Sequence, residues 1–273
     1  MHLVLKTVML LLLSNLLWIG SFSAQVVLDK TAELQKIDVV ENLGSAIPLN
    51  LEFINSEGQT VQLKQYFNSG RPVLLTLAYY ECPMLCTFVL NGLSKGVAKL
   101  PFIPGQEFQM VTVSIDPDES PQLAAAKQKN QVAAIGKTNV DGGWEFLVGD
   151  QVNIDTLANI LGFKYYYDQT RDEYAHPAVS FVLTADGIIS RYLYGIEYRE
   201  QDLRLALLEA SEGKIGNTLD KILLYCYHYD PDAGGYVIFA GNVMRLGGVL
   251  TVIVLGGVLL LLWWKEMRKK GVI

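Results

Sequence analysis

The chain reads as an α/β protein: a mixed sheet flanked by helices, preceded by an N-terminal hairpin and followed by a helix long enough to cross a membrane. Three observations predict this. Uncharged apolar runs of strand length, led by Pro72–Tyr80 (PVLLTLAYY), alternate with segments of helical spacing. The alternation closes on a hairpin and one more helix, which calls for a sheet of mixed direction. Near the C-terminus, 19 consecutive residues carry no charge.

The elements follow in order. Leu49–Ile54, a turn at Asn55–Gly58 and Thr60–Leu63 form the entry hairpin. Pro72–Tyr80 is a strand buried on both faces, because it holds no charge to present to water. Leu85–Leu100 has apolar residues at helical spacing, and Phe108–Ile115 is a second strand closed by Asp116-Pro117-Asp118. Ser120–Lys137, rich in Ala, Lys and Gln, is a surface helix starting near Pro121. Trp144–Val148 is a third strand, and Asn153–Leu161 a helix ended by Gly162. Lys164–Tyr167 reads as strand packing. Ala178–Thr184, a turn at Ala185-Asp186-Gly187 and Ile188–Tyr194 make a hairpin. Arg199–Ser211 is a last amphipathic helix, stopped by Gly213. The order matches a thioredoxin-like fold with an added N-terminal hairpin.

The 273 residues are ample for one sizeable core. Only 18% are charged and the net charge is −6, so neither a disordered acidic chain nor a nucleic-acid-binding surface fits. Met1–Ala24 has the pattern of a secretion signal: Lys6, the 12-residue apolar stretch Val8–Ile19, then small residues around Ser21–Ala24 for cleavage. An uncleaved anchor is the alternative. Leu246–Trp264 spans about 28 Å as a helix, enough for a bilayer. Trp263 and Trp264 sit at the interface level, and Lys265, Arg268, Lys269 and Lys270 follow, which places the C-terminus in the cytoplasm. The organisation is therefore a signal at 1–24, a domain at 25–214, a connector at 215–243, a transmembrane helix at 244–264 and a cytoplasmic tail at 265–273. The domain lies on the extracytoplasmic, periplasmic side. Without its ends the body has 17 basic against 27 acidic residues, about −10, which suits a soluble domain.

There are three cysteines and three histidines. Cys82 and Cys86, in Cys82-Pro83-Met84-Leu85-Cys86, follow the buried strand and open a helix. Two thiols four positions apart share a helix face, and the helix N-terminus favours their thiolates. Such a pair can close a disulfide or hold a soft metal such as Cu(I). Cys82, at the helix start, is expected to be the more exposed sulfur. His176 precedes the strand Ala178–Thr184, which in a thioredoxin-like sheet lies beside the strand delivering Cys82. An imidazole there completes a Cys2His set able to hold Cu(II) as well as Cu(I). Pro177 sits where thioredoxin-like proteins keep a cis-proline, which leaves either form of the His176–Pro177 bond open. Cys226 and His228, in YCYHYDP, form a smaller cluster near the connector, read as a local structural segment with a role in copper or thiol exchange as the alternative. Asp116 and Asp118 are read as caps of the following helix.

The stretches PVLLTLAYYECPMLC, MVTVSIDPDES and AHPAVSFVLTADGIISRYLYG resemble the Sco/SenC family of thioredoxin-like copper proteins that assist cytochrome c oxidase assembly. The resemblance covers most of residues 45–200. It implies one copper ion, as Cu(I) or Cu(II), on Cys82, Cys86 and His176, and thiol–disulfide chemistry on the cysteine pair. The partners it implies are the copper-bearing oxidase subunit, a thiol reductant and a copper donor. Two features depart from the pattern: Met84 stands where many members have Asp, and the membrane helix is C-terminal where many members are anchored at the N-terminus. The expected function is membrane-tethered copper delivery; the alternative is a thiol–disulfide oxidoreductase. A peroxide-reducing enzyme on the same fold fits least, because no Thr/Ser-x-x-Cys setting surrounds Cys82.

Overall fold

The computed structural model describes residues 37–67, 69–82, 85–140, 142–212, 227–230, 235–238 and 240–269. The signal at 1–24 and Cys226 lie outside the described residues. In chain order the elements are β1 (Asp38–Val39), β2 (Glu52–Asn55), β3 (Thr60–Gln62), α1 (Lys64–Phe67), β4 (Val73–Ala78), α2 (Leu85–Lys99), β5 (Gln109–Ser114), α3 (Pro121–Ile135), β6 (Trp144–Val148) and α4 (Gln151–Ile160). There follow β7 (Phe163–Lys164), β8 (Tyr166–Asp168), β9 (Glu173–Ala175), β10 (Val179–Leu183), β11 (Ile189–Tyr194), α5 (Glu200–Ala210), β12 (Tyr227–Asp230), β13 (Gly235–Ile238) and α6 (Ala240–Lys269).

A seven-stranded sheet in the order β11-β10-β4-β5-β6-β2-β3 forms the centre. The strands β4, β5 and β6 are parallel; β10, β11, β2 and β3 join antiparallel. This is the mixed thioredoxin-like sheet, with the entry hairpin added at the β6 edge. Every residue of β4 and β5 is buried, as an uncharged run requires of a strand covered on both faces. Side chains alternate between two cores. Leu74 points into the one closed by α2, α3 and α5, while Val73, Leu75 and Leu77 point into the one closed by α1 and α4. On the first face Thr76 and Ser180, paired in the β4–β10 register, join hydroxyls at 3.1 Å, and Ser180 meets the Tyr198 hydroxyl at 2.9 Å.

Local chemistry sets the helix ends. Ser120 caps α3 by accepting from the Leu123 amide, Pro121 takes the first turn, and Gly136 ends the helix with φ +67°. Asp116 and Asp118 are thus not the caps: Asp116 accepts from the Asp118 amide at 2.9 Å in a turn of its own. Helix α4 begins at Gln151, earlier than the apolar spacing alone suggests, because Asp150 caps it through the Asn153 amide. In α2, Gly92 lets the chain at Ile196 lie so close that a Cβ there would stand 2.0 Å from the Ile196 carbonyl oxygen.

The segment read as a plain connector contains a hairpin: β12 pairs with β13 from Tyr227↔Ile238 to Asp230↔Gly235. Tyr236 of that hairpin is buried. Its amide donates to Asp202 Oδ1 at 3.1 Å and its hydroxyl to Glu209 Oε2 at 2.5 Å, both on α5. Arg199 clasps the same Asp202 carboxylate through two contacts at 2.7 and 3.0 Å. Helix α6 then contains Asn242–Leu261, a stretch long and apolar enough to cross a membrane, with none of its residues buried.

Gly162 combines two requirements. Its φ is +65°, and a Cβ would lie 1.8 Å from the Val40 carbonyl oxygen where β1 meets β7. Neither the backbone nor the ladder can yield cheaply. Gly162→Ala is therefore expected to destabilise the chain by about 2 kcal/mol or more, read as a lowered denaturation midpoint in mild detergent.

Candidate metal centre

The loop that carries Cys82 begins where the β4–β5 ladder ends, at the bond from the Ile115 amide to the Ala78 carbonyl. Beyond it the chain splits its tyrosines between the two cores. Tyr79 joins Cys82 on the α4 side, whereas Tyr80 enters the opposite core and reaches the Leu147 carbonyl with its hydroxyl at 2.7 Å. Having left the ladder, the Tyr80 and Glu81 amides both donate to Glu119 Oε1, at 2.5 and 2.7 Å. On the far side, the Thr87 hydroxyl donates to the Cys82 carbonyl at 3.1 Å. Cys82 is 7% exposed, so the cysteine expected to be the more exposed of the pair is a buried one. Cys86 falls in the first turn of α2, where the N-terminal end of the helix dipole favours a thiolate. Its side chain, like Met84 and the side chain of His228, lies outside the described residues.

His176 arrives from the neighbouring strand. The β4–β10 ladder ends with Ser180 opposite Thr76, and His176, four residues before Ser180, lies beside Tyr79, in the loop that leads from β4 to Cys82. The imidazole is 5% exposed and packs edge-on against Tyr79, ring centres 6.1 Å apart, and beside Phe163 at 6.0 Å. Its Nδ1 lies 3.0 Å from the Pro177 carbonyl oxygen. A carbonyl only accepts, so Nδ1 is the donor in this contact, as it is in histidines that ligate a metal through Nε2. The His176–Pro177 bond is trans, so the cis form that the place of Pro177 left open does not occur. The ordinary trans preference is met without strain. The fold thus brings Cys82 and His176 to one end of the sheet around Tyr79. Among the described residues no three of His, Cys, Asp and Glu cluster as a metal site; the third donor expected, the Cys86 sulfur, is not among them.

Two features of the site escaped the sequence reading. One is a cleft of about 690 Å³ beside Tyr79, bordered by Glu81, Asp116, Asp118, Asp172 and Glu173, with Arg171 among them. The other is Glu119, whose Oε2 accepts from the Ser114 hydroxyl at 2.5 Å. Burial pushes its carboxyl up from 4.5 to about 7, against the opposing pull of its hydrogen bonds. A carboxyl that holds its proton more tightly when folded makes the fold less stable as the proton leaves. The contribution of Glu119 to stability therefore falls as pH rises from about 4.5 to about 7. Thermal unfolding measured across this range is expected to show a shallower decline in Glu119→Gln than in the unaltered chain.

The SCO1/SenC family model matches residues 41–206, more than half of the chain. No curated protein matches it. A crystal structure of a presumed electron transfer protein from Aquifex aeolicus VF5 is 26% identical, with a TM-score of 0.56 over 63% of this chain and 96% of that one. ScoI of Arabidopsis thaliana, solved with copper bound, is 18% identical, with a TM-score of 0.49 over 62% of this chain and 98% of its own. BsSco, a member of the Sco family of cytochrome c oxidase assembly proteins in which a disulfide switch was identified, is 20% identical, with a TM-score of 0.46 over 66% and 99%. The family match encloses all seven strands of the central sheet together with Cys82, Cys86 and His176, and the chain belongs to the SCO1/SenC family.

Proposed function

We propose that the chain is a membrane-tethered copper-binding protein that takes one copper ion on Cys82, Cys86 and His176 and passes it to the copper-bearing subunit of cytochrome c oxidase during assembly. The observation that carries this reading is the buried His176 ring packed on Tyr79 at the Cys82 end of β4, its Nδ1 3.0 Å from the Pro177 carbonyl oxygen. Family membership adds weight, as do the copper held by the Arabidopsis relative and the oxidase-assembly family to which BsSco belongs.

The chemistry follows from the donors. Thiolates are soft ligands suited to Cu(I), and imidazole extends the set to Cu(II). Binding releases the thiol protons, which the helix N-terminus of α2 already disfavours. A receiving thiolate can enter while one cysteine still holds the metal, so the ion need never be free. Oxidised cysteines cannot bind, so a thiol reductant and a copper donor act before delivery. The rival reading, a thiol–disulfide oxidoreductase, needs a sulfur open to attack, and the burial of Cys82 weighs against that role. The length of α6, with Lys265, Arg268 and Lys269 at its end, supports a domain outside the cytoplasm and a C-terminus within it.

Cu(I) titration of the reduced full chain in mild detergent, against a chromophoric chelator, tests the reading. One ion per chain is expected. His176→Ala is expected to weaken binding by roughly tenfold or more, and Cys82→Ser or Cys86→Ser to abolish it. An affinity unchanged by His176→Ala, with disulfide-reducing turnover intact, would favour the oxidoreductase.

A further inference from the structure

Glu119 holds the Cys82 loop by its backbone, accepting from the Tyr80 and Glu81 amides. Tyr80 and Glu81 have passed the last β4–β5 ladder bond, and Tyr80 is only 1% exposed, so its amide has little access to water. A buried amide without a partner costs about 1–3 kcal/mol. One carboxylate oxygen serves both amides, while the other is fixed by Ser114 at the end of β5. Glu119 is itself held in place: its amide contacts the Asp116 carbonyl at 3.4 Å, and the next residue, Ser120, caps α3.

We infer that Glu119 is a positioning residue for copper binding, its carboxylate clamping the Tyr80 and Glu81 amides so that Cys82 is presented in a fixed place opposite His176. The inference rests on the copper reading above and deepens it. The chain from Glu81 to Cys82 is a single planar peptide, so fixing the Glu81 amide fixes the Cys82 backbone to within one Cα–Cα step of about 3.8 Å. The Thr87 hydroxyl holds the Cys82 carbonyl from the helix side. Together the two contacts restrain the cysteine backbone at both ends. The clamp depends on reach rather than charge. A protonated Glu119 keeps one oxygen as acceptor for both amides and can donate from the other to the Ser114 oxygen, and a glutamine side chain offers the same acceptor at the same length.

Two variants separate reach from charge. Glu119→Gln keeps the length and removes the charge; Glu119→Asp keeps the charge and withdraws it by one methylene. If Glu119 positions the loop, Cu(I) affinity in the reduced full chain falls roughly 10- to 100-fold in Glu119→Asp and stays within about threefold of the parent in Glu119→Gln. In the metal-free chain, the Tyr80 and Glu81 amides then exchange with deuterium faster in the Asp variant than in the Gln variant. Equal affinities in all three chains overturn the inference, as does a loss in Gln that matches or exceeds the loss in Asp. The two readings fail separately: a parent chain that binds no Cu(I) ends the copper reading, while amide exchange still reports whether Glu119 holds the loop. Exchange at Tyr80 and Glu81 that is the same in both variants shows that it does not.

Discussion

The register of β10 against β4 governs the whole arrangement. Thr76 and Ser180 face each other in that pair, and their hydroxyls meet inside the α2–α3–α5 core, with the Tyr198 hydroxyl as third member. A buried polar chain of this kind is satisfied in one alignment only, since a shift of β10 by a single residue would turn the Ser180 hydroxyl to the opposite core, away from Thr76 and Tyr198. The same register sets where His176 stands relative to Cys82, 94 positions earlier in the chain.

From that register the site is assembled by separate anchors. Cys82 depends on β4, on Glu119 beyond β5, and on Thr87 in α2. His176 depends on β10, on the Pro177 carbonyl, and on the rings of Tyr79 and Phe163. Phe163 is in turn set by Gly162, whose left-handed turn joins α4 to β7. The anchors come from several elements: β4 and the loop after it, the turn after β5, α2, β7 and β10.

Much of this was legible in the residues. The uncharged run at Pro72–Tyr80 could only be a doubly buried strand, and Ser120, Pro121 and Gly136 bracket their helix by known cap chemistry. The turn at Ala185–Gly187 marked the hairpin that brings the His176 strand home, and Cys82, Cys86 and His176 stood out as scarce residue types at telling places. What stayed hidden depends on contacts between distant segments. Glu119 reads as one more acid in a polar turn until folding sets it beside Tyr80, 39 residues earlier. The β12–β13 pair is short and built around Asp-Pro and Gly-Gly signals that equally describe a loose linker; the two bonds from Tyr236 to α5 distinguish it. The short ladders β1–β7 and β8–β9 have only two or three residues in each strand, too few for a period to appear.

The fastening of Tyr236 to Asp202 and Glu209 bears on how the domain meets its surroundings. Only one residue stands between Ile238 of β13 and Ala240, where the long apolar helix α6 begins. A long coil would let the body sample a wide hemisphere of angles against that helix; here the stalk is riveted to α5 within a few residues of it. Were α6 set across a bilayer, the body's search for a neighbour would be reduced to gliding and spinning within a plane, at a height that the fold itself determines.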